Sequence, residues 1–454
     1  MYLYYASHRM NALSRYLARV NWPWRLPSGF AKPLPTQVLK CDPTSISFDA
    51  DDQPQIKSQE TLEALRTASR HLVEAFQPVV FPTETVYGLG ALALNATASA
   101  QIFSTKGRPP DNPLIVHVSS VKMLLSLLPP DYTLPDSYRV LIQHFWPGPL
   151  TLLFPRDPIK IPDIITAKQP TVAIRIPSHP VARALIAISN SPLAAPSANS
   201  SGKPSPTRVE HVLHDLDGKV GLILDGGPCD VGLESTVVDG LHEDGNIRVL
   251  RPGGVTVEEI EQVLLQNFRQ GSPPKVLVHR RDFVDEGIEQ VPTTPGMKYR
   301  HYSPSVPLKL LRTISKPPQG VIADTPSSLL HSLKNSLGSS APLRIGLLTL
   351  SDSSIISDLV SDTEIQWRQY SLGSFAEPAV IAHRLFDGLL TLEKEGVDVI
   401  LIEEVSEDRE GLAVMNRVKK AADEERWITT SMEAQCKYCP RTSCHSLLMN
   451  QTET

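Results

Sequence analysis

Two cations stand one glycine apart in the stretch STKGRPPDNPLIVH at 104–117. Lys106 and Arg108 can reach two oxygens of a polyphosphate, the guanidinium as a planar fork and the ammonium as a point charge. Pro109, Pro110 and Pro113 stiffen the chain that carries them, so less freedom is lost when a ligand is gripped. Asn112 adds a group that donates or accepts. Read alone, the same pair would serve equally as solvated surface charge. His117 alternates with apolar neighbours, a context that favours a satisfied core histidine.

Other polar groups gather at the ends of apolar runs. FPTETVYGLG (81–90) brings Thr83, Glu84, Thr85 and Tyr87 to the end of a strand, where α/β sites form, with Gly88 and Gly90 allowing close backbone approach. APSANSSGKPSPT (195–207) crowds Ser197, Asn199, Ser200, Ser201, Ser205 and Thr207 around Gly202 and Lys203. Hydroxyls, an amide and backbone N–H groups of this kind build an anion nest. TVAIRIP (171–177) puts Arg175 inside an apolar strand, a costly place unless Glu84, Glu234 or a substrate carboxylate pairs with it. ESTVVD (234–239) and RVLRPGG (248–254) end strands with polar or cationic groups, and Arg251 before Pro-Gly-Gly suits a phosphate or base contact. Any one of these could be structural; together they suggest one site.

Several chemistries find no support. GLGALA lacks the third glycine of a dinucleotide fingerprint, and no GxxxxGK[ST] occurs. No Ser-His-Asp or Cys-His set has a local signature, and Cys229 reads as a small packing residue. The tail CKYCPRTSCH offers Cys436, Cys439, Cys444 and His445; the first spacing suits zinc, but the rest is too compact, so no metal site is assigned.

The elements that must position these groups are legible from periodicity. Residues 58–77 put Leu62, Leu65, Leu72, Val73 and Phe76 on one helical face, with Ser58 as cap and Pro78 as stop. VVFP (79–82), LIVHV (114–118), LTLLF (150–154), TVAIRI (171–176), LILD (222–225), STVVD (235–239) and IRVLR (247–251) read as strands. Helices are expected at 179–189, 207–216 and 256–267, with capping-box spacing at Thr207/Glu210 and Thr256/Glu259. That makes an α/β domain with a mixed sheet over 46–268. Residues 269–305 read as a long linker, ordered at its end. A second, smaller α/β domain spans 306–430: strands at 308–312, 320–324, 343–350, 365–370 and 397–405 alternate with helices at 377–395 and 411–423. Residues 431–454 form a polar tail.

The 454 residues are 41% hydrophobic with net charge −5, so bulk charge does not point to nucleic acid. No apolar run approaches the roughly 18 residues of a membrane span. Five cysteines make no disulfide framework, and a reducing compartment is the default. Residues 1–41 contain no acid but carry Arg9, Arg15, Arg19, Arg25, Lys32 and Lys40. A leader over 1–45 is therefore either a mitochondrial transit peptide or a disordered basic tail, and Met10 as a start would allow two destinations, cytoplasm and mitochondrion.

In order and spacing, PTETVYGLG, KGRPPDNPLIVHV, WPGPLTLLF, APSANSSGKPSPT, ESTVVD and RPGG resemble the threonylcarbamoyl-AMP synthases, the YrdC-like family. TPGMKYRHYSP and REGLAVMNRVKKAA (409–422) resemble its long two-domain form. The resemblance implies a twisted mixed-sheet YrdC-like catalytic domain plus a Rossmann-like C-terminal domain. It implies that L-threonine, bicarbonate and ATP give threonylcarbamoyl-adenylate and pyrophosphate, used by a downstream transferase complex to modify tRNA beside the anticodon. Threonine would meet Thr85, His117, Arg175, the backbone of Ala195, and Ser235, with Arg175 taking the carboxylate. ATP would meet Arg108, Asn112, Thr171, Ser197, Asn199, Ser205, Arg251 and Tyr302, the last on a linker folded over the cavity. Lys106 and Arg108 would be catalytic, neutralising phosphate charge. Mg²⁺ is expected to be held mainly by the nucleotide and water, since no acidic cluster is evident. Two alternatives remain at this point. One is a double-stranded RNA-binding module that grips phosphates with Lys106, Arg108, Arg175, Lys203 and Arg251. The other is a carbamoyl-transfer domain of a larger enzyme, whose zinc-finger and acylphosphatase-like regions are not found in this sequence.

Overall fold

The computed structural model describes residues 35–268, 272–285, 301–337 and 342–429. Its larger sheet has eleven strands, in the order Gln37–Lys40, Leu222–Asp225, Val79–Pro82, Tyr87–Leu92, Leu193–Ala194, Ile115–His117, Thr171–Arg175, Leu150–Pro155, Thr236–Asp239, Ile247–Arg251 and Val276–Val278. Parallel and antiparallel pairs mix within it: Ile115–His117 runs parallel to Thr171–Arg175, which runs antiparallel to Leu150–Pro155. Most of these strands are buried along their length, which is why they appear as continuous apolar runs.

Three sequence expectations change here. The sheet begins before residue 46, because Gln37–Lys40 pairs in parallel with Leu222–Asp225. It also continues past 268, because Val276–Val278 pairs with Ile247–Val249 inside the stretch read as linker. The helix Gln59–Val73 starts at the Ser58 cap as expected, with Ser58 Oγ accepting from Thr61 N at 3.2 Å. Its buried face is Thr61, Ala64, Leu65, Ala68 and Leu72, however, while Val73 at the helix end and Phe76 beyond it are exposed.

Capping is realised at one of the two expected boxes. Thr256 and Glu259 cap the helix Val257–Asn267 reciprocally. At Val209–Leu216 the cap position falls to Arg208 without a side-chain bond, and the Thr207 hydroxyl lies against His211 Nδ1 at 3.4 Å instead.

The smaller sheet is wholly parallel, in the order Gln366–Gly373, Arg344–Leu350, Val399–Glu403, Leu308–Arg312, Glu424–Trp427. The helices Pro326–Leu337, Pro378–Lys394 and Glu410–Ala421 accompany it, giving the Rossmann-like pattern. Residues 320–324 do not form a strand; only Asp324 bridges, to Ile428, and Ile322 is 93% exposed. The edge strand Glu424–Trp427 is polar, held by Lys309–Glu424 and Arg312–Glu425 ion pairs. The two sheets share a core. Val86 and Leu233, from loops of the larger sheet, and Tyr302 belong to the apolar cluster of the smaller one.

Among the described residues no helix is long and apolar enough to cross a membrane. The basic leader up to residue 34 and the Cys436–His445 tail lie outside the described residues.

Candidate active site

Lys106 and Arg108 do not share a loop. Lys106 is the last residue of the helix Ala96–Lys106, whose Asn95 cap accepts from Ala98 N at 3.0 Å. Gly107, left-handed at φ 61°, ends that helix, and only then does Arg108 begin the proline-rich segment. The turn sends the two side chains to different places. The Lys106 ammonium donates to the carbonyls of Ser197 and Asn199. Burial, and then the nearby Arg108 charge, pull its pKa well below the usual lysine value. The Asn199 amide in turn donates to Ser200 O and Lys203 O, both at 2.9 Å. Lys106 and Asn199 thus stitch together the serine-rich loop and do not line the cleft, while Arg108 does.

The cleft lies where the strand Ile115–His117 and the loops after Val79–Pro82 and Leu193–Ala194 meet the loop before Thr236–Asp239. Its lining includes Thr85, His117, Arg175, Ala195 and Ser235, expected at threonine, together with Arg108, Ser197, Arg251 and Tyr302, expected at ATP. Nine of the residues expected to bind substrate therefore converge on one cavity.

Arg175 is 3% exposed, and its ion pair is internal: Nη2 donates to Glu84 Oε1 at 2.5 Å and Nη1 to Thr85 Oγ1 at 3.0 Å. No substrate is needed to compensate its burial. Its Nε has no hydrogen-bond partner in the protein. His117 lies with Nδ1 3.2 Å from Ile115 O, edge-on to Phe81. Burial, then Arg175, push its pKa down to about 3, so it is neutral at neutral pH. Ala195 N is committed to Ile115 O at 3.0 Å, which leaves its carbonyl for a ligand. Ser235 Oγ shares a hydrogen bond with Thr151 Oγ1 at 2.7 Å, and Arg251 Nη2 donates to Ser235 O at 2.9 Å.

Among the residues expected at ATP, Arg108 braces its own loop, donating to Asn112 O at 3.3 Å and Pro113 O at 2.9 Å. Burial lowers its pKa to about 10, so it stays cationic. Asn112 and Thr171 stand outside the cleft lining, and Asn112 Oδ1 and Thr171 Oγ1 are buried without a partner. Ser205 is wholly buried behind the lining and donates to Glu234 Oε1 at 2.7 Å. Tyr302, 1% exposed, stacks on Phe386 of the smaller domain at 5.4 Å. Residues 286–300 of the expected linker lie outside the described residues.

Sequence reasoning missed the hub of this wall. Glu234 appeared there only as a possible partner of Arg175. It is bound instead by Arg417, from the helix Glu410–Ala421, whose Nε and Nη2 lie 3.1 and 3.0 Å from Oε2. His301 also lines the cleft, its pKa lowered to about 3 by burial. The signal for Arg417 was available: Ala413, Arg417 and Ala421 fall at helical i, i+4 spacing on the apolar stripe.

Gly253 explains the RPGG block. A Cβ there would lie 2.3 Å from Glu234 O and 2.5 Å from Thr236 N, so only glycine lets the two segments pass. Gly90 has a packing reason too, since a Cβ would meet the Phe81 ring at 2.4 Å.

Known proteins align with both domains. A family model described as "Telomere recombination" matches residues 72–253, and one described as "Threonylcarbamoyl-AMP synthase, C-terminal domain" matches residues 255–423. Threonylcarbamoyl-AMP synthase of Schizosaccharomyces pombe is 42% identical over 427 residues, covering 85% of this chain and 97% of that protein. The enzyme of the same name from Bacillus subtilis is 40% identical over 356 residues, covering 77% of this chain and 91% of the relative. The crystal structure of P. abyssi Sua5 complexed with L-threonine superposes with a TM-score of 0.66 at 36% identity, covering 87% of this chain and 100% of that one.

Proposed function

The chain belongs to the threonylcarbamoyl-AMP synthase family, and on that premise we propose that it joins L-threonine, bicarbonate and ATP into threonylcarbamoyl-adenylate with release of pyrophosphate. The observation that carries this reading is that one cleft is lined by both sets of residues: Thr85, His117, Arg175 and Ser235, which we take as a threonine side, and Arg108, Ser197, Arg251 and Tyr302, which we take as an ATP side.

Threonine is assigned to the first side, its carboxylate at Arg175 and its polar groups at Thr85, Ser235 and the Ala195 carbonyl. His117 is neutral, so Arg175 alone supplies charge among the residues assigned to threonine. ATP is assigned to the second side; Asn112 and Thr171, whose partnerless oxygens are buried outside the lining, would reach it only if the loop shifts on binding. Arg108 and Arg251 are the phosphate cations. Lys106, Asn199 and Ser205 act from behind, through the loop and through Glu234.

The threonine nitrogen forms a bond to the carbon of carbon dioxide or bicarbonate and loses a proton, giving a carbamate. A carbamate oxygen then attacks the α-phosphorus, and the bond to the bridging oxygen breaks with its electron pair leaving on pyrophosphate. No enzyme nucleophile takes part; the protein contributes alignment and fixed positive charge. Among the described residues the one carboxylate in the lining, Glu234, is engaged by Arg417 and Ser205 and so is not offered to magnesium. An ion accompanying ATP would be held by the nucleotide and water.

The RNA-binding alternative loses its physical basis. Lys106, Arg108, Arg175 and Arg251 are each no more than 6% exposed, so a duplex backbone cannot reach them. The adenylate is proposed to feed threonylcarbamoyl modification of tRNA by a separate transferase. For the basic leader we propose mitochondrial as well as cytoplasmic delivery, which a fluorescent reporter fused to residues 1–45 would test. The function itself is tested by pyrophosphate release from ATP and bicarbonate with each amino acid in turn. Threonine should be preferred; preference for serine, or none, overturns the reading.

A further inference from the structure

Among the described residues, Glu234 is the only carboxylate lining a cleft assigned to a polyphosphate. Left bare, an anion in that wall would repel the ligand, and burial would make the charge costly in its own right. Its surroundings are arranged to prevent both. Arg417, 1% exposed, reaches across from the smaller domain and places two N–H groups on Oε2, and Ser205 donates to Oε1. The third guanidinium nitrogen of Arg417 holds Pro252 O, next to Arg251. Its guanidinium carbon sits 5.8 Å from the Tyr302 ring centre, on the other flank of Glu234. Burial alone would raise the Glu234 carboxyl, but Arg417 and then Arg251 bring it down to about 2. The carboxylate is therefore ionised and already spoken for.

We propose that Arg417 is a positioning residue for the nucleotide: the C-terminal domain uses it to neutralise and aim Glu234, so that Ser205 and Tyr302 are fixed and the phosphates meet a net cationic wall. This gives the smaller domain a direct part in binding ATP. It rests on the assignment of ATP to this cleft.

The argument rests on charge, and charge can be tested by removing both partners. Arg417→Met strands Glu234, whereas Arg417→Met with Glu234→Gln removes the pair together, an exchange that buried ion pairs tolerate far better than loss of one member. The full chain would be titrated with a non-hydrolysable ATP analogue, and KM would be measured separately for ATP and threonine. R417M should weaken ATP by about tenfold or more while threonine KM moves by less than about threefold. The double variant should recover ATP affinity to within about threefold of wild type. Arg417→Lys, which keeps the charge but not the fork, should fall between wild type and R417M.

If R417M does not fold, R417K and the double variant still decide the matter. A double variant within about threefold of wild type supports neutralisation, and a double variant that stays about tenfold or more weaker than wild type while R417K binds well opposes it. Wild-type ATP affinity in R417M, or a loss that E234Q does not relieve, overturns the inference while leaving the function standing. A wild type that binds no ATP analogue overturns the function and this inference with it.

Discussion

Glu84 and Arg175 are locked together at the cleft, with Oε1 2.5 Å from Nη2 and both side chains almost wholly buried. The second carboxylate oxygen accepts from Ser178 N at 3.1 Å, and Thr85 takes the other guanidinium arm. A charge that looks misplaced in an apolar strand is thus aimed by its neighbours, with Nε as its one unpartnered donor.

Removing one member of this pair should be severe. Glu84→Ala strands a buried guanidinium and should cost about 3–5 kcal/mol of stability, read by chemical denaturation. Threonine affinity should fall with it. An unchanged denaturation midpoint would show that Arg175 finds another partner.

Lys106 and Arg108 should separate in a way their shared motif hides. Both Lys106→Ala and Arg108→Ala should abolish threonine-dependent pyrophosphate release. Lys106→Ala also strips donors from two buried carbonyls and should cost about 1–3 kcal/mol of stability for each. Arg108→Ala should melt closer to wild type. The reverse ranking in parallel melts would contradict the roles assigned above.

Acid should weaken the fold through two histidines. His117 and His301 have folded pKa values pushed to about 3, below their unfolded value of 6.5. The unfolded chain therefore takes up the protons first, and stability falls as pH drops from about 6.5 towards 3. At pH 5 each should contribute of order 2 kcal/mol of loss. His117→Asn should flatten the curve between pH 7 and pH 5; equal slopes for mutant and wild type would refute its neutral state.

Gly253→Ala should behave as a binding mutant although it touches no ligand. The added methyl would press on Glu234 O and Thr236 N, overpacking that typically costs about 1–3 kcal/mol. Threonine affinity, measured by titration calorimetry, should drop through displacement of Ser235. Wild-type affinity would mean the two segments can part without consequence.

Most of the larger sheet was legible because its strands are buried on both faces and so read as apolar runs bounded by turns. Gln37–Lys40 was lost for the opposite reason: as an edge strand with exposed residues, it looks like the end of a basic leader. Glu424–Trp427 carries its pairing in charges instead of apolar alternation. The helix Ala96–Lys106 is built from small residues with weak amphipathic contrast, so Lys106 was placed in a loop and its side chain sent towards phosphate. Types and order identified the cleft residues well, whereas the direction of a side chain depends on the turn that carries it, as Gly107 shows. The apolar stripe marks Arg417 as buried, but its partner Glu234 lies roughly 180 residues away in sequence, and pairing across such a distance is not written in either local motif.

Val86 and Leu233, from the loops that carry Thr85 and Ser235, sit in the apolar cluster of the smaller domain. Two domains joined by a linker commonly unfold in separate steps. Here each would have to expose part of the other's interior to do so. The whole chain should therefore melt as a single cooperative block, with calorimetric and van't Hoff enthalpies in agreement, and ATP should raise the melting temperature of both sheets together.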